Sequence, residues 1–173
     1  MVFKDEQWLV VEPVPDAFVV NIGHTLQIIS NGKLSSAEHR VVTNKKILRM
    51  SVVSFIILPE TAILNLQKHF LIRTARGSWK LFCGVRKLSL CLLDLITEGL
   101  ELEYEFFEGE LSQVQIMGMN YYQPCPDPTL TLGLLKHYDG NLLTFLLQEQ
   151  VHDLQVFKLR SNGWLLILSL MPS

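Results

Sequence analysis

Lys136-His137-Tyr138-Asp139-Gly140-Asn141 sets an imidazole and a carboxylate two residues apart, just ahead of the apolar run Asn141–Gln148. On a β-strand an i, i+2 pair shares one face, so both groups can reach one ion. Read alone, the pair is also what a chance surface histidine and aspartate look like. Its surroundings decide, and they read as β-structure. Asp153–Lys158 is a further short strand downstream. Upstream, Gln113–Tyr122 alternates and is followed by the turn Gln123-Pro124-Cys125-Pro126-Asp127-Pro128. The first third has the same character. Gln7–Val11, Ala17–Asn21, Ala37–Thr43 and Arg49–Ile57 are short, rich in Val, Ile and Phe, and parted by Pro13-Val14-Pro15-Asp16 and Asn31-Gly32-Lys33. His24–Ser30 fits a helical turn or another strand.

Pro59 closes that block, and residues 60–84 lack a clean period, as expected of a partly helical connector. Val85, Leu88, Leu92, Leu95 and Ile96 then fall on one helical face, with Gly99 where a C-cap is expected and the acidic stretch Glu98–Glu110 after it. Two β blocks flanking a helix predict a β-sandwich or barrel.

Composition bounds the function without naming it. The 173 residues are 49% apolar and 18% charged with net charge −2, enough for one domain with a real core and too apolar for a disordered chain. Near-zero charge argues against a phosphate-binding surface, so no nucleic-acid partner is expected. Three cysteines without a CxxC pair predict a reducing, cytoplasmic setting. The first residues lack the apolar core of a signal peptide, and no apolar run approaches the ~18 residues of a membrane span, so no membrane partner is expected.

A facial triad for non-haem iron(II) needs a second imidazole beside His137 and Asp139. His39, in Ala37-Glu38-His39-Arg40-Val41-Val42, is the candidate; alone it also reads as a structural histidine. Ten residues on, Arg49-Met50-Ser51 places a guanidinium fork and a hydroxyl on one strand face, a pair suited to a small carboxylate. Alone it also reads as a surface arginine on an edge strand.

Together the motifs are far more specific. Asn120-Tyr121-Tyr122-x-Pro124-Cys125-Pro126 and His137-x-Asp139-Gly140-Asn141, with Asn21-Ile22-Gly23, Ser36-Ala37-Glu38-His39-Arg40-Val41-Val42 and Arg49-x-Ser51, resemble the iron(II)/2-oxoglutarate-dependent dioxygenases of plants. The resemblance covers residues 2–58 and about 85–158. It implies a mainly β fold, the double-stranded β-helix or jelly roll, with a flanking α-helix. It implies iron(II) held by His137, Asp139 and His39, and 2-oxoglutarate held by Arg49, Ser51 and Tyr122, with Asn120 in the same motif. Three protein ligands leave iron open positions for a chelating 2-oxo acid and for O2. The implied reaction decarboxylates 2-oxoglutarate to succinate and CO2 while oxidising a small organic substrate, with ascorbate in support. The alternatives are a non-catalytic remnant that keeps the motifs without turnover and a cupin-like binding module; Arg49-x-Ser51 and Tyr122 favour the dioxygenase over the latter.

The order of the motifs departs from the family, where the HxD pair precedes the distal histidine and the RxS motif. Here His137 follows His39 by 98 residues. Val2-Phe3-Lys4 and Val156-Phe157-Lys158 overlap, however. His137 lies 21 residues before Lys158 and Lys4 lies 35 before His39, a joined separation of 56 that matches the family's spacing. The expected organisation is therefore the barrel's second half at residues 1–58, a connector at 59–84, a helix and acidic loop at 85–110, the first half at 111–158, and a tail at 159–173. Such an order arises by circular permutation or by read-through across tandem gene copies.

The tail reads as out of frame. Leu165–Ser173 can be encoded by DNA whose neighbouring frame matches residues 10–18 at eight of nine positions. It is expected to compete with a strand at residues 10–18 and to favour aggregation. Most of the family's N-terminal helical region is missing, and Gln123 replaces a usual proline. These departures predict low stability and poor turnover. His24, His69 and His152 read as surface or turn histidines, Cys125 as a buried turn residue, and Trp8 and Trp164 as packing residues.

Overall fold

A computed structural model describes residues 7–59, 76–158 and 165–169. The Val2-Phe3-Lys4 repeat, most of the connector, His69, Trp164 and residues 159–164 and 170–173 lie outside the described residues. The chain runs β1 (Gln7–Val10), β2 (Ala17–Ile22), α1 (His24–Ile29), β3 (His39–Val42), β4 (Arg49–Ile57), α2 (Arg76–Gly99), a 3-10 turn (Gly109–Ser112), β5 (Val114–Tyr122), β6 (Leu132–His137), β7 (Leu143–Gln148), β8 (Leu154–Lys158) and β9 (Leu165–Ser169).

Two antiparallel sheets form the jelly roll expected from the sequence. One has the order β1-β8-β3-β6 and the other β5-β4-β7-β2-β9. Strands from residues 1–58 alternate with strands from residues 111–158 in both sheets, so every ladder apart from β2–β9 joins one block to the other. Among the described residues, neither block contains a strand pair of its own. Gln7 stands opposite Lys158 and Trp8 opposite Phe157, with Arg40 stacked on the Trp8 ring at 4.1 Å, consistent with the packing role expected of Trp8.

Strand periodicity divides the core into two layers. Phe18, Val20, Ile22, Ile56 and Phe145 point outward and pack with Val85 and Leu93 of α2. Val19, Val53, Leu146, Val41 and Leu154 point inward, between the sheets. The five-stranded sheet is thus covered on both faces, which is why β2 is buried along its whole length.

Of the two readings open for His24–Ser30, the helical one holds over His24–Ile29. Several other expectations are corrected. The long helix begins at Arg76, nine residues before Val85, within the expected connector. Leu95 faces solvent, and Leu93 takes the buried position. The helix ends in a Schellman-type cap centred on Glu101 rather than Gly99. Glu101 has φ 57°, its N–H donates to Glu98 O, and the Leu102 N–H donates to Thr97 O. Residues 10–18 are not one strand but the end of β1, a turn with Asp16 at φ 55°, and the start of β2. The tail segment Leu165–Ser169 therefore meets no competitor and pairs with β2 in register, Phe18 opposite Leu168 and Val20 opposite Leu166. Cys125 is half-buried, with its N–H donating to Asn44 O. No helix among the described residues is long and apolar enough to cross a membrane.

Candidate active site

His39 on β3 and His137 at the end of β6 are directly opposed across an antiparallel pair, with ring centroids 4.2 Å apart. The Nδ1 of His39 lies 3.1 Å from Ala37 O, and that of His137 lies 2.7 Å from Leu135 O. A carbonyl can only accept, so both Nδ1 atoms carry the proton and both Nε2 lone pairs are free. Each Nε2 is 3.7 Å from Asp139 Oδ1. The three ligand atoms lie within 4.8 Å of one another. Burial lowers the His39 pKa, an effect that His137 reinforces and Asp139 opposes, so the ring is held neutral as a metal ligand requires.

Asp139 reaches this point differently from the sequence expectation. β6 stops at His137, so the pair does not share a strand face. Asp139 sits in the following loop, which is latched onto the start of α1. His24 N–H donates to Asp139 O at 2.7 Å, Thr25 Oγ1 to Gly140 O at 2.7 Å, and Gly23 N–H to Leu142 O at 2.9 Å. The approach is close enough to require glycine, because a Cβ at Gly23 would lie 1.9 Å from Asn141 O. His24 and His152 are exposed, as expected; His24 packs edge-on against Tyr138, and His152 pairs with Glu12.

β4 supplies the polar groups on the same cavity. The inward positions Arg49, Ser51, Val53, Phe55 and Ile57 alternate along it, and Asn120 and Tyr122 face inward from β5 opposite Ser51 and Arg49. Arg49 is 1% exposed, an extreme burial for a guanidinium. Its Nη2 donates to Gln148 Oε1 at 3.3 Å, and the guanidinium carbon stands 5.1 Å from the Tyr122 ring centroid. Among the described residues, Nε and Nη1 have no hydrogen-bond partner. Burial pushes the Arg49 pKa down, with Tyr122 and Asp153 raising it again, and burial pushes Tyr122 up. Asn120 Nδ2 donates to Ser51 Oγ at 3.4 Å. The cavity has a volume of about 360 Å³ and is lined at once by the two histidines, Asp139, Arg49, Ser51 and Tyr122.

All seven residues singled out in the sequence thus meet at one cavity. Thr144 and Gln148, which the sequence does not single out, and Asn141, which it marks only as part of the HxDGN motif, support them. Thr144 lies on the inward face of β7, and its alternation with Phe145 was the one available signal. Two imidazole nitrogens and a carboxylate oxygen suit a mononuclear non-haem iron, and unpartnered buried guanidinium donors suit a small carboxylate.

A jelly roll that gathers two imidazoles and a carboxylate on one cavity defines the class of metal-binding β-barrels. The 2OG-Fe(II) oxygenase superfamily matches residues 1–57 and 113–169, and the chain belongs to it. The cofactors that accompany this family are iron(II), 2-oxoglutarate and O2. The chain is 51% identical to hyoscyamine 6-dioxygenase of Hyoscyamus niger over 83 residues, 48% of this chain and 24% of that protein. It is 51% identical to Protein DMR6-LIKE OXYGENASE 1 of Arabidopsis thaliana over 76 residues, 43% of this chain and 22% of that protein. It is 44% identical to 2'-deoxymugineic-acid 2'-dioxygenase of Hordeum vulgare over 64 residues, 37% of this chain and 19% of that protein. The chain thus spans a quarter or less of the length of these plant relatives. No solved structure matches it.

Proposed function

We propose that the chain is the catalytic β-barrel of an iron(II)- and 2-oxoglutarate-dependent oxygenase that oxidises a small organic molecule in the cytoplasm, its two barrel halves in permuted order. The observation that carries this reading is the convergence of His39, His137 and Asp139 on the cavity that Arg49 also lines, with two of its buried donors unpartnered. Permutation with the cut in the β8–β1 hairpin is supported by the antiparallel register of Lys158 with Gln7. The unpaired cysteines Cys83, Cys91 and Cys125 support a reducing compartment.

In this reading His39, His137 and Asp139 hold the metal. Their Nε2 and Oδ1 atoms are preorganised for it, because both rings are locked by backbone carbonyls. Arg49 binds the distal carboxylate of 2-oxoglutarate, Ser51 and Tyr122 add hydroxyl contacts, and Asn120 orients Ser51. The apolar walls Val53, Phe55 and Leu146 keep bulk water from the reacting groups. The chemistry that iron(II) supplies when bound is O2-dependent oxidation of the substrate, coupled to decarboxylation of 2-oxoglutarate to succinate and CO2. The non-catalytic alternative has no structural observation in its favour.

The test is succinate release from 2-oxoglutarate with iron(II) and ascorbate. Release that depends on His39, His137, Asp139 and Arg49 supports the proposal, and release unchanged by alanine at any of the three ligands contradicts it.

A further inference from the structure

Asp139 lies outside any strand, yet its carboxylate is tied to the middle of the larger sheet. Thr144 Oγ1, on the central strand β7, donates to Asp139 Oδ2 at 2.7 Å. Asn141 Nδ2 donates in turn to Thr144 Oγ1 at 2.9 Å and to Leu143 O at 2.9 Å. All three side chains are almost fully buried. A hydroxyl has one proton. With Asn141 donating to its oxygen, Thr144 delivers that proton to the carboxylate, its shortest contact, rather than to Asn141 Oδ1 at 3.3 Å. The bond to an anionic oxygen is charge-assisted and strong in this dry setting. It engages Oδ2 alone and leaves Oδ1 facing both imidazoles.

From this geometry we infer that Thr144, set by Asn141, is a positioning residue that makes Asp139 a one-oxygen ligand. The inference rests on the assignment of Asp139 as a metal ligand. Thr144 holds one carboxylate oxygen back, so Asp139 presents a single donor atom and leaves room at the metal for co-substrates. It also anchors a loop residue to a rigid strand, which removes the freedom that the Tyr138–Asn141 loop would otherwise give the ligand.

The experiment titrates Co(II) into the full-length chain by calorimetry and records the visible spectrum of the bound ion, which reports its coordination number. The variants are Thr144→Val, Thr144→Ala, Thr144→Ser and Asp139→Ala, each with a melting curve of the metal-free protein. Thr144→Val is expected to weaken Co(II) binding roughly 10–100-fold and change the spectrum, as loss of an outer partner does. Thr144→Ser, which keeps the hydroxyl, is expected to restore both; should Thr144→Val fail to fold, Thr144→Ala takes its place in the comparison. If Thr144→Val binds like wild type while Asp139→Ala does not bind, the positioning role is overturned and the ligand assignment stands. If Thr144→Ser is as impaired as Thr144→Val, the loss comes from packing and the inference is likewise overturned. Wild-type binding by Asp139→Ala overturns the inference together with the assignment beneath it.

Discussion

His39 and His137 stand directly opposite each other across the β3–β6 pair, each with Nδ1 against the backbone carbonyl two residues earlier in the chain. The two residues are 98 apart in sequence, so the contact exists only when both blocks of the chain share one barrel. His39→Ala and His137→Ala are each expected to reduce divalent-metal affinity by more than the roughly 10–100-fold that loss of an outer partner costs. Calorimetric titration checks this, and undiminished affinity in either variant removes that histidine from the site.

The alternation of the two blocks within both sheets has its own consequence. Among the described residues, the blocks 1–58 and 111–158 hold no strand pair within themselves, and each apolar sheet face needs the other block to cover it. Expressed separately, each block is expected to lack a cooperative melting transition. A sharp transition in either one alone, followed by circular dichroism, would show that the blocks fold independently.

Protonation of His39 opposes folding. Burial lowers its folded-state pKa below the ordinary imidazole value of 6.5. The unfolded chain therefore takes up the proton first as pH falls, and stability drops from that point until the folded-state pKa is passed. Melting temperatures of the metal-free protein from about pH 8 to about pH 5 should fall on the acid side, and His39→Gln should flatten the slope. Equal slopes for both proteins would discharge His39 from this role.

The tail is a structural element. β9 covers the free edge of β2, and Leu166 and Leu168 pack against the core beside α2. Deleting residues 159–173 leaves that edge open and removes two partly buried leucines, an expected loss of roughly 2 kcal/mol. A lower melting temperature with increased self-association is the outcome to look for, and a more stable, monomeric truncation would reverse this assignment.

How much was legible in the sequence follows physical lines. β4 was readable to the residue because Arg49, Ser51, Val53, Phe55 and Ile57 alternate inward against an outward set facing α2. That His39, His137, Asp139, Arg49, Ser51, Asn120 and Tyr122 would share one cavity was legible from the family resemblance of their motifs. The i, i+2 spacing of His137 and Asp139 points to a shared strand face, but β6 ends at His137 and a loop latched by Gly23 and His24 carries Asp139. The cap at Glu101 was hidden because a non-glycine residue adopts the left-handed conformation there. The alternation of Thr144 with Phe145 marked its face, but the partners of Thr144 and Gln148 were not legible, because the partner of a hydroxyl or amide on an inward strand face depends on which loop or strand lies opposite. The position of β9 depended on where β1 goes, and β1 belongs to the other sheet.

Calorimetric titration of 2-oxoglutarate, with and without Mn(II) and in the absence of O2, tests most directly whether the two blocks build one metal and 2-oxo-acid site. Expected is metal-dependent binding at one site per chain that is weakened about tenfold or more in Arg49→Lys, which keeps the charge and loses the fork. Affinity that is the same with and without metal, or the same in wild type and Arg49→Ala, would contradict the assignment.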